Sequence, residues 1–149
     1  MNLGIVNNES NMSTQNKEVL MMMKEYSVTT QMTYEQAKTM LEAKLAEVKF
    51  GVLCKLDLPE KFKEKGLTYD GKFTIFEVCN PNEAIKVLTV DPKAVYFLPC
   101  KIVVHEKDGM GIVGMIRPTS MIIEMHDPDL DEIALQIEGK LKKVMDSMK

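Results

Sequence analysis

The sequence predicts an α+β domain with one mixed or mostly antiparallel sheet and helices on one face. Three observations support this prediction. Short β-branched runs of alternating polarity predict five strands, longer runs with apolar residues at helical spacing predict helices, and one Asp-Gly pair predicts a hairpin. The elements follow one another in the order β-α-β-(α)-β-α-β-β-α.

Residues 26–32 form the first predicted strand because their β-branched side chains alternate in polarity. Thr33 follows as an N-cap, and Gln36 three residues later completes a capping box. Apolar positions then recur at helical spacing, which predicts an amphipathic helix over residues 34–49. Gly51 ends this helix.

The second predicted strand covers residues 52–58. Alternation places Cys54 on the same face as Val52, so Cys54 is predicted to lie in the core. Pro59 then opens a short basic helical segment, which ends at Gly66.

The third predicted strand, residues 72–79, runs directly into Asn80 and Pro81. Asparagine is a favoured N-cap and proline a favoured first helical residue. The pair therefore predicts the start of a further helix, whose apolar residues form one buried face.

Residues 100–107 and 111–117 form the last two predicted strands, and Asp108-Gly109 joins them as a hairpin turn. Asp127-Pro128 then caps a long C-terminal helix. This helix has an apolar stripe, and lysines are concentrated in its last turns, as the helix dipole favours.

Length and composition restrict the function classes. A chain of 149 residues with 45% hydrophobic residues is typical of one globular domain. The net charge of -3 and the lack of a basic run argue against nucleic acid as a partner. No apolar stretch reaches the ~20 residues of a membrane span, so no membrane partner is expected.

The cysteine count and the N-terminal composition indicate the compartment. Three cysteines, an odd number, are typical of free thiols in a reducing compartment. Residues 1–22 lack the apolar run of a signal peptide. We expect a poorly ordered leader over residues 1–23, followed by a single domain over residues 24–149. The protein is therefore expected to be cytoplasmic.

Four short motifs resemble a known family. They are Phe50-Gly51-Val52-Leu53, Cys79-Asn80-Pro81, Leu98-Pro99-Cys100-Lys101-Ile102-Val103-Val104 and Arg117-Pro118-Thr119. Together they resemble the domain-of-unknown-function 302 family of bacteria and archaea, and the match runs from about Lys24 to the C-terminus. The resemblance implies a TATA-binding-protein-like α+β fold that is usually dimeric, and it implies no established activity.

Cys79 and Cys100 are the candidate reactive residues. Cys79 directly precedes the N-cap Asn80, where the helix dipole favours a thiolate, and Cys100 begins the strand after the same connection. If the two strand ends are neighbours, Cys79 would be the attacking thiol and Cys100 the resolving thiol. Alternatively, both are small buried hydrophobic residues, as free cysteines usually are.

Two charged residues extend this candidate site into a ligand pocket. Glu77 shares a strand face with Cys79, and Arg117 at the end of the last strand is its candidate partner. The candidate ligand-binding residues are therefore Glu77, Cys79, Asn80, Pro81, Cys100 and Arg117. A solvated sheet face for Glu77 and a capped strand end for Arg117 explain the same residues equally well.

A metal centre is not expected. Cys79, Cys100 and His105 carry suitable ligand atoms, but their spacing matches no zinc motif, and a solvent-facing strand position explains His105. No cofactor is expected either.

Two function classes therefore stay open. The first is a homodimeric module that binds a small ligand or a protein partner on the sheet face or at the Cys79/Cys100 edge. The second is a thiol-dependent sulfur or redox carrier, or a soft-metal binder, that uses Cys79 and Cys100. We expect a dimer because a sheet with helices on one side leaves its other face to be covered.

Overall fold

The computed structural model describes residues 13–149 and contains one five-stranded antiparallel sheet. The strands are β1 (Glu25–Thr29), β2 (Gly51–Asp57), β3 (Phe73–Cys79), β4 (Cys100–Lys107) and β5 (Met110–Ile116). The helices are α1 (Thr14–Lys24), α2 (Tyr34–Glu47), α3 (Leu58–Glu64), α4 (Pro81–Val90), α5 (Pro118–Ile122) and α6 (Pro128–Asp146), with 3₁₀ helices at Pro92–Phe97 and Ile123–Met125. The strands lie in the order β1-β5-β4-β3-β2.

The predicted α+β class is confirmed, and its helices start at the predicted caps. Thr33 and Gln36 form both hydrogen bonds of the capping box at the start of α2. The side chains of Asn80 and Asp127 accept hydrogen bonds from the first backbone amides of α4 and α6. Among residues 13–149, no helix combines the length and apolar content needed to span a membrane.

Two helices, α1 and α5, are absent from the sequence prediction. The apolar residues of α1 are consecutive, at positions 19–23, instead of recurring at helical spacing, and no residue of α1 is buried. α5 has only five residues, too few to show a period. The predicted leader over residues 1–23 thus contains most of a helix, while residues 1–12 lie outside the described residues.

One face of the sheet is covered by α2 and α6 and holds the core. Along β3, Thr74, Phe76 and Val78 are buried and the residues between them are half-buried, because successive strand side chains point to opposite faces. Side chains with no exposed surface join the strands to α2 and α6: Phe76, Val78, Ile102, Val104, Val113, Leu41, Leu45, Leu130, Leu141 and Met145. We call this side the covered face and the opposite side the open face.

The prediction that Cys54 lies in the core is wrong, because β2 contains an irregularity. Val52 pairs with Val78, but Cys54 pairs with Glu77, so one extra residue is inserted between Val52 and Cys54. Such a β-bulge moves every later side chain of the strand to the other face. Cys54 therefore lies on the open face and is exposed.

Candidate functional site

The register of the sheet arranges charged side chains in one row across the open face. Directly paired residues of antiparallel strands project to the same side. Glu25 pairs with Ile116, and Lys101 pairs with Glu77. The pairing of β4 with β5, continued to the strand end, brings Ile116 beside Lys101. We call Glu25, Ile116, Lys101 and Glu77 the charged row.

The next row contains small and apolar residues and forms a low floor. Ser27 pairs with Gly114, Gly114 with Val103, and Val103 with Ile75. Gly114 has no side chain, and a Cβ atom built there would lie 3.4 Å from the Cβ of Ser27. The sheet surface is therefore recessed at Gly114, next to the charged row.

Three segments outside the sheet surround this recess. The 3₁₀ helix Pro92–Phe97 starts at Asp91, whose carboxylate accepts a hydrogen bond of 2.9 Å from the backbone amide of Lys93. It leads into residues 96–99, which form one wall, while Met121 of α5 and Met21 of α1 contribute to others. The result is a cavity of about 510 Å³ on the open face. We call it the open-face cavity.

The polar side chains of the open-face cavity are available to a ligand. Glu25, Glu77, Lys101 and His105 all line it. Within residues 13–149, none of these four has an ion-pair partner within 4.0 Å. Lys101 and Glu77 are cross-strand neighbours and still form no ion pair of that length. The cavity thus presents the ammonium of Lys101 beside the carboxylate of Glu77, and a second carboxylate, that of Glu25, farther along the charged row. Glu25 Oε1 lies 3.9 Å from the position of a Cβ atom at Gly114, so the recess has an apolar floor and one carboxylate at its rim.

A second, smaller space lies behind the wall of this cavity. Its volume is about 30 Å³, and it is lined by apolar side chains of α4, α5 and α6 together with Cys100. Phe97, Leu98 and Met121 line both spaces, so the two spaces are neighbours. We call the smaller space the inner chamber.

The two candidate cysteines lie on adjacent strands but on opposite faces of the sheet. Cys100 pairs with Val78, which faces the core, so the neighbouring Cys79 projects to the open face. Burial, with a smaller contribution from Cys79, raises the pKa of the Cys100 thiol to about 11. At neutral pH Cys100 is therefore a thiol that packs against the core, and the register does not bring the two sulfur atoms together at one edge.

The sequence predicts Glu77 as the candidate partner of Arg117, but in the structure Arg117 has a different partner. Its guanidinium Nη2 donates a hydrogen bond to the carbonyl oxygen of Met23, and its backbone amide donates one of 2.8 Å to that of Lys24. Arg117 thereby satisfies carbonyl groups at the C-terminus of α1, a position where a cation is favourable. It is absent from the lining of the open-face cavity, whereas Glu77 belongs to it.

The remaining predicted site residues lie close to the cavity or at a helix start. Asn80 is buried and serves as the N-cap of α4, with Pro81 as the first helical residue. His105 lies on the open face with Lys101 and Val103, as predicted, and lines the cavity.

The structure does not bring Cys79, Cys100 and His105 together as metal ligands. Among the described residues, no three His, Cys, Asp or Glu side chains are close enough to hold a metal ion.

Several cavity residues are missed by the sequence analysis. One signal for them exists, because the predicted Asp108-Gly109 hairpin defines the pairing of β4 with β5 and so places Gly114 opposite Val103. No comparable signal exists for the walls. Nothing in the spacing of residues places Phe97 and Met121 beside the same sheet edge.

Comparisons with known proteins agree with this fold. The model of the family described as domain of unknown function DUF302 matches residues 26–148. An uncharacterized protein of Aquifex aeolicus (strain VF5) is 28% identical over 120 residues, which are 78% of this chain and 77% of the relative. The crystal structure of an uncharacterized conserved DUF302 protein from Bacillus stearothermophilus is similar with a TM-score of 0.82 at 39% identity, covering 85% of this chain and 99% of that one.

Proposed function

This chain belongs to the DUF302 family, and we propose that it is a binding module for a small zwitterionic molecule with an apolar body, held in the open-face cavity. The observation that carries the proposal is the combination of size and lining. A volume of about 510 Å³ falls within the ~300–1,000 Å³ of typical small-molecule sites. Such sites are mostly apolar with a few polar groups that orient the ligand, as in this cavity.

The proposed head group carries both an ammonium and a carboxylate. Lys101 and Glu77 pair directly across β4 and β3, so a carboxylate at Lys101 leaves an adjacent ammonium within reach of Glu77. Charge-assisted hydrogen bonds of this kind are about twice as strong as neutral ones. A ligand with a single charge would pair with either Lys101 or Glu77 and would leave the charge of the other side chain unpaired.

The apolar body of the ligand is proposed to lie over the recess at Gly114. Val103 forms the floor next to it, and Phe97, Leu98 and Met121 form the apolar wall. Covering such surface contributes about 25 cal/mol per Å² of apolar area removed from water. An aliphatic α-amino acid has this combination of a zwitterionic head and an apolar side chain.

The geometry supports the binding module better than the thiol-carrier alternative. A carrier needs an ionisable thiol with a second sulfur in reach. The raised pKa of Cys100, about 11, and its place on the covered face work against that chemistry. Cys79 and Cys100 are also absent from the lining of the open-face cavity.

The homodimer stays a prediction. It is supported by the part of the open face outside the cavity lining, where apolar side chains such as Leu56, Ile75 and Ile112 are only half-buried in a single chain. Sedimentation would give a mass near twice the 16.9 kDa of one chain if the dimer forms, and near that of one chain if it does not.

Three eight-carbon probes test the proposed function: 2-aminooctanoate, octanoate and octylamine. They share a linear chain and differ in head group, and their binding is measured by calorimetry. We expect 2-aminooctanoate to bind most tightly, and Gly114→Leu, which fills the recess, to weaken it by at least about tenfold, a loss of about 1.4 kcal/mol. Gly139→Leu is the matched control, because nothing lies within 4 Å of a Cβ atom at Gly139.

Two results would contradict the proposal. One is that none of the three probes binds the wild-type protein. The other is that Gly114→Leu and Gly139→Leu, both folded by circular dichroism, bind 2-aminooctanoate with the same affinity as the wild type. Tighter binding of octanoate or octylamine than of 2-aminooctanoate would agree with the open-face cavity as the binding site but would refute the zwitterionic head group.

A further inference from the structure

We propose that the apolar end of the ligand enters the inner chamber, so that the module selects α-amino acids with a long, unbranched side chain. This inference rests on the proposed function and deepens it. Its starting point is that Phe97, Leu98 and Met121 line both the open-face cavity and the inner chamber. A ligand that packs against the outer side of this wall is therefore one side-chain thickness from the chamber.

The chamber itself suits a hydrocarbon chain end. Its lining includes Val87, Leu130, Ala134 and Ile137, and cavities lined by such residues stay dry and accept apolar guests. The volume of about 30 Å³ is close to that of a single water molecule in the liquid, and so to that of one terminal methyl or methylene group. An apolar chain end that fills it gains contacts that the lining side chains lack when the chamber is empty.

Rotation of the Met121 side chain can connect the open-face cavity to the inner chamber. A methionine side chain is unbranched and has three rotatable bonds, so it changes rotamer more easily than other apolar residues. Met121 is half-buried and lies in the five-residue helix α5, outside the sheet. Rotation of its side chain would join the two spaces without any change in the pairing of the strands.

Chain length and branching are the properties that this arrangement selects. An aliphatic chain too short to pass Met121 gains only the contacts in the open-face cavity. The one terminal group that enters the chamber adds buried apolar surface and raises the affinity about three- to fourfold. A branched end cannot pass and gains nothing.

The test compares linear α-amino acids of five to eight carbons, with the branched 5-methyl-2-aminohexanoate as a further probe, on wild-type protein and on Ala134→Val. Ala134→Val fills the chamber from α6, and Ala43→Val, at an exposed position of α2, is the matched control. We expect affinity to rise with chain length in the wild type and in Ala43→Val. In Ala134→Val we expect the longest probes to lose that gain and the five-carbon probe to bind unchanged.

A second measurement needs no substitution and so does not depend on Ala134→Val folding. In the NMR spectrum of the wild type, 2-aminooctanoate should shift the methyl signals of Ala134 and Ile137, and the five-carbon probe should leave them in place. If 2-aminooctanoate binds but chain length has no effect and these methyl signals do not move, the chamber inference is overturned and the proposed function stands. If no probe binds, both the chamber inference and the proposed function are refuted.

Discussion

The covered face and the open face of the sheet are built from the same strands but differ in what their side chains leave accessible. On the covered face, Phe76, Ile102 and Val104 have no exposed surface. On the open face, the residues that alternate with them in β3 and β4 include Glu77 and Lys101, which line a cavity. Burial against α2 and α6 supplies stability on one side, and this allows the other side to retain charges and a recess.

Two glycines of β5 provide the strongest test of this comparison. A Cβ atom at Gly111, on the covered face, would lie 2.6 Å from the Cβ of Ala37 in α2. Gly111→Val should therefore lower the free energy of unfolding by about 3 kcal/mol, the upper end of the usual cost of overpacking. Gly114→Val, on the open face, should change it by about 0.5 kcal/mol or less. Urea unfolding of both variants measures the difference.

Similar losses for the two variants would contradict the comparison, because they would mean that the open face is as closely packed as the covered face. The binding assay adds a second contrast. Gly114→Val should weaken binding of 2-aminooctanoate, because its side chain occupies the recess. In Gly111→Val, protein that remains folded should bind that probe with the affinity of the wild type.

The covered face could be predicted from the sequence much better than the open face. Alternation in β3 and the caps at Thr33, Asn80 and Asp127 are local signals, and each leads directly to the element observed. The position of Cys54 could not be predicted, because a β-bulge depends on how two strands pair and leaves no mark in the alternation of one of them.

The walls of the cavity could not be predicted for a similar reason. Alternation places Glu77 and His105 on the open face, but the walls come from segments distant in sequence, at Phe97 and Met121. Their meeting depends on tertiary packing. The opposite orientations of Cys79 and Cys100 follow from the register, which a prediction of strand order alone does not contain.

A buried carboxylate makes the covered side sensitive to acid. Burial alone would raise the pKa of Glu138, but hydrogen bonds from Thr119 and the ammonium of Lys142 outweigh it and hold the pKa below the ordinary value. The carboxylate therefore stabilises the fold above pH ~4.3, the usual pKa in an unfolded chain. This stabilisation is lost as the pH falls through the lower, folded-state pKa.

Glu138→Gln should lower the free energy of unfolding by about 2 kcal/mol at pH 7, the usual size of hydrogen bonds to a charged group. The difference from the wild type should shrink as the pH falls below ~4.3, because the wild-type carboxyl then becomes neutral as well. Glu132→Gln, at an exposed position of the same helix, is the control and should stay within ~0.5 kcal/mol of the wild type. A loss for Glu138→Gln that is the same at pH 7 and pH 3 would rule out this electrostatic explanation.

The smallest expected effect separates a folding role from a binding role at Asn80, one of the candidate ligand-binding residues predicted from the sequence. Its side-chain oxygen accepts hydrogen bonds of 3.2 Å and 3.4 Å from the backbone amides of Asn82 and Glu83, and the residue is 5% exposed. Asn80→Ala should cost about 1 kcal/mol of stability, and Asn80→Asp much less, because aspartate is an equally good N-cap. Neither should change the calorimetric affinity for 2-aminooctanoate, since Asn80 is not part of the cavity lining. A loss of affinity in Asn80→Asp without a loss of stability would instead assign Asn80 to the ligand site and extend that site around the end of β3 toward the covered face.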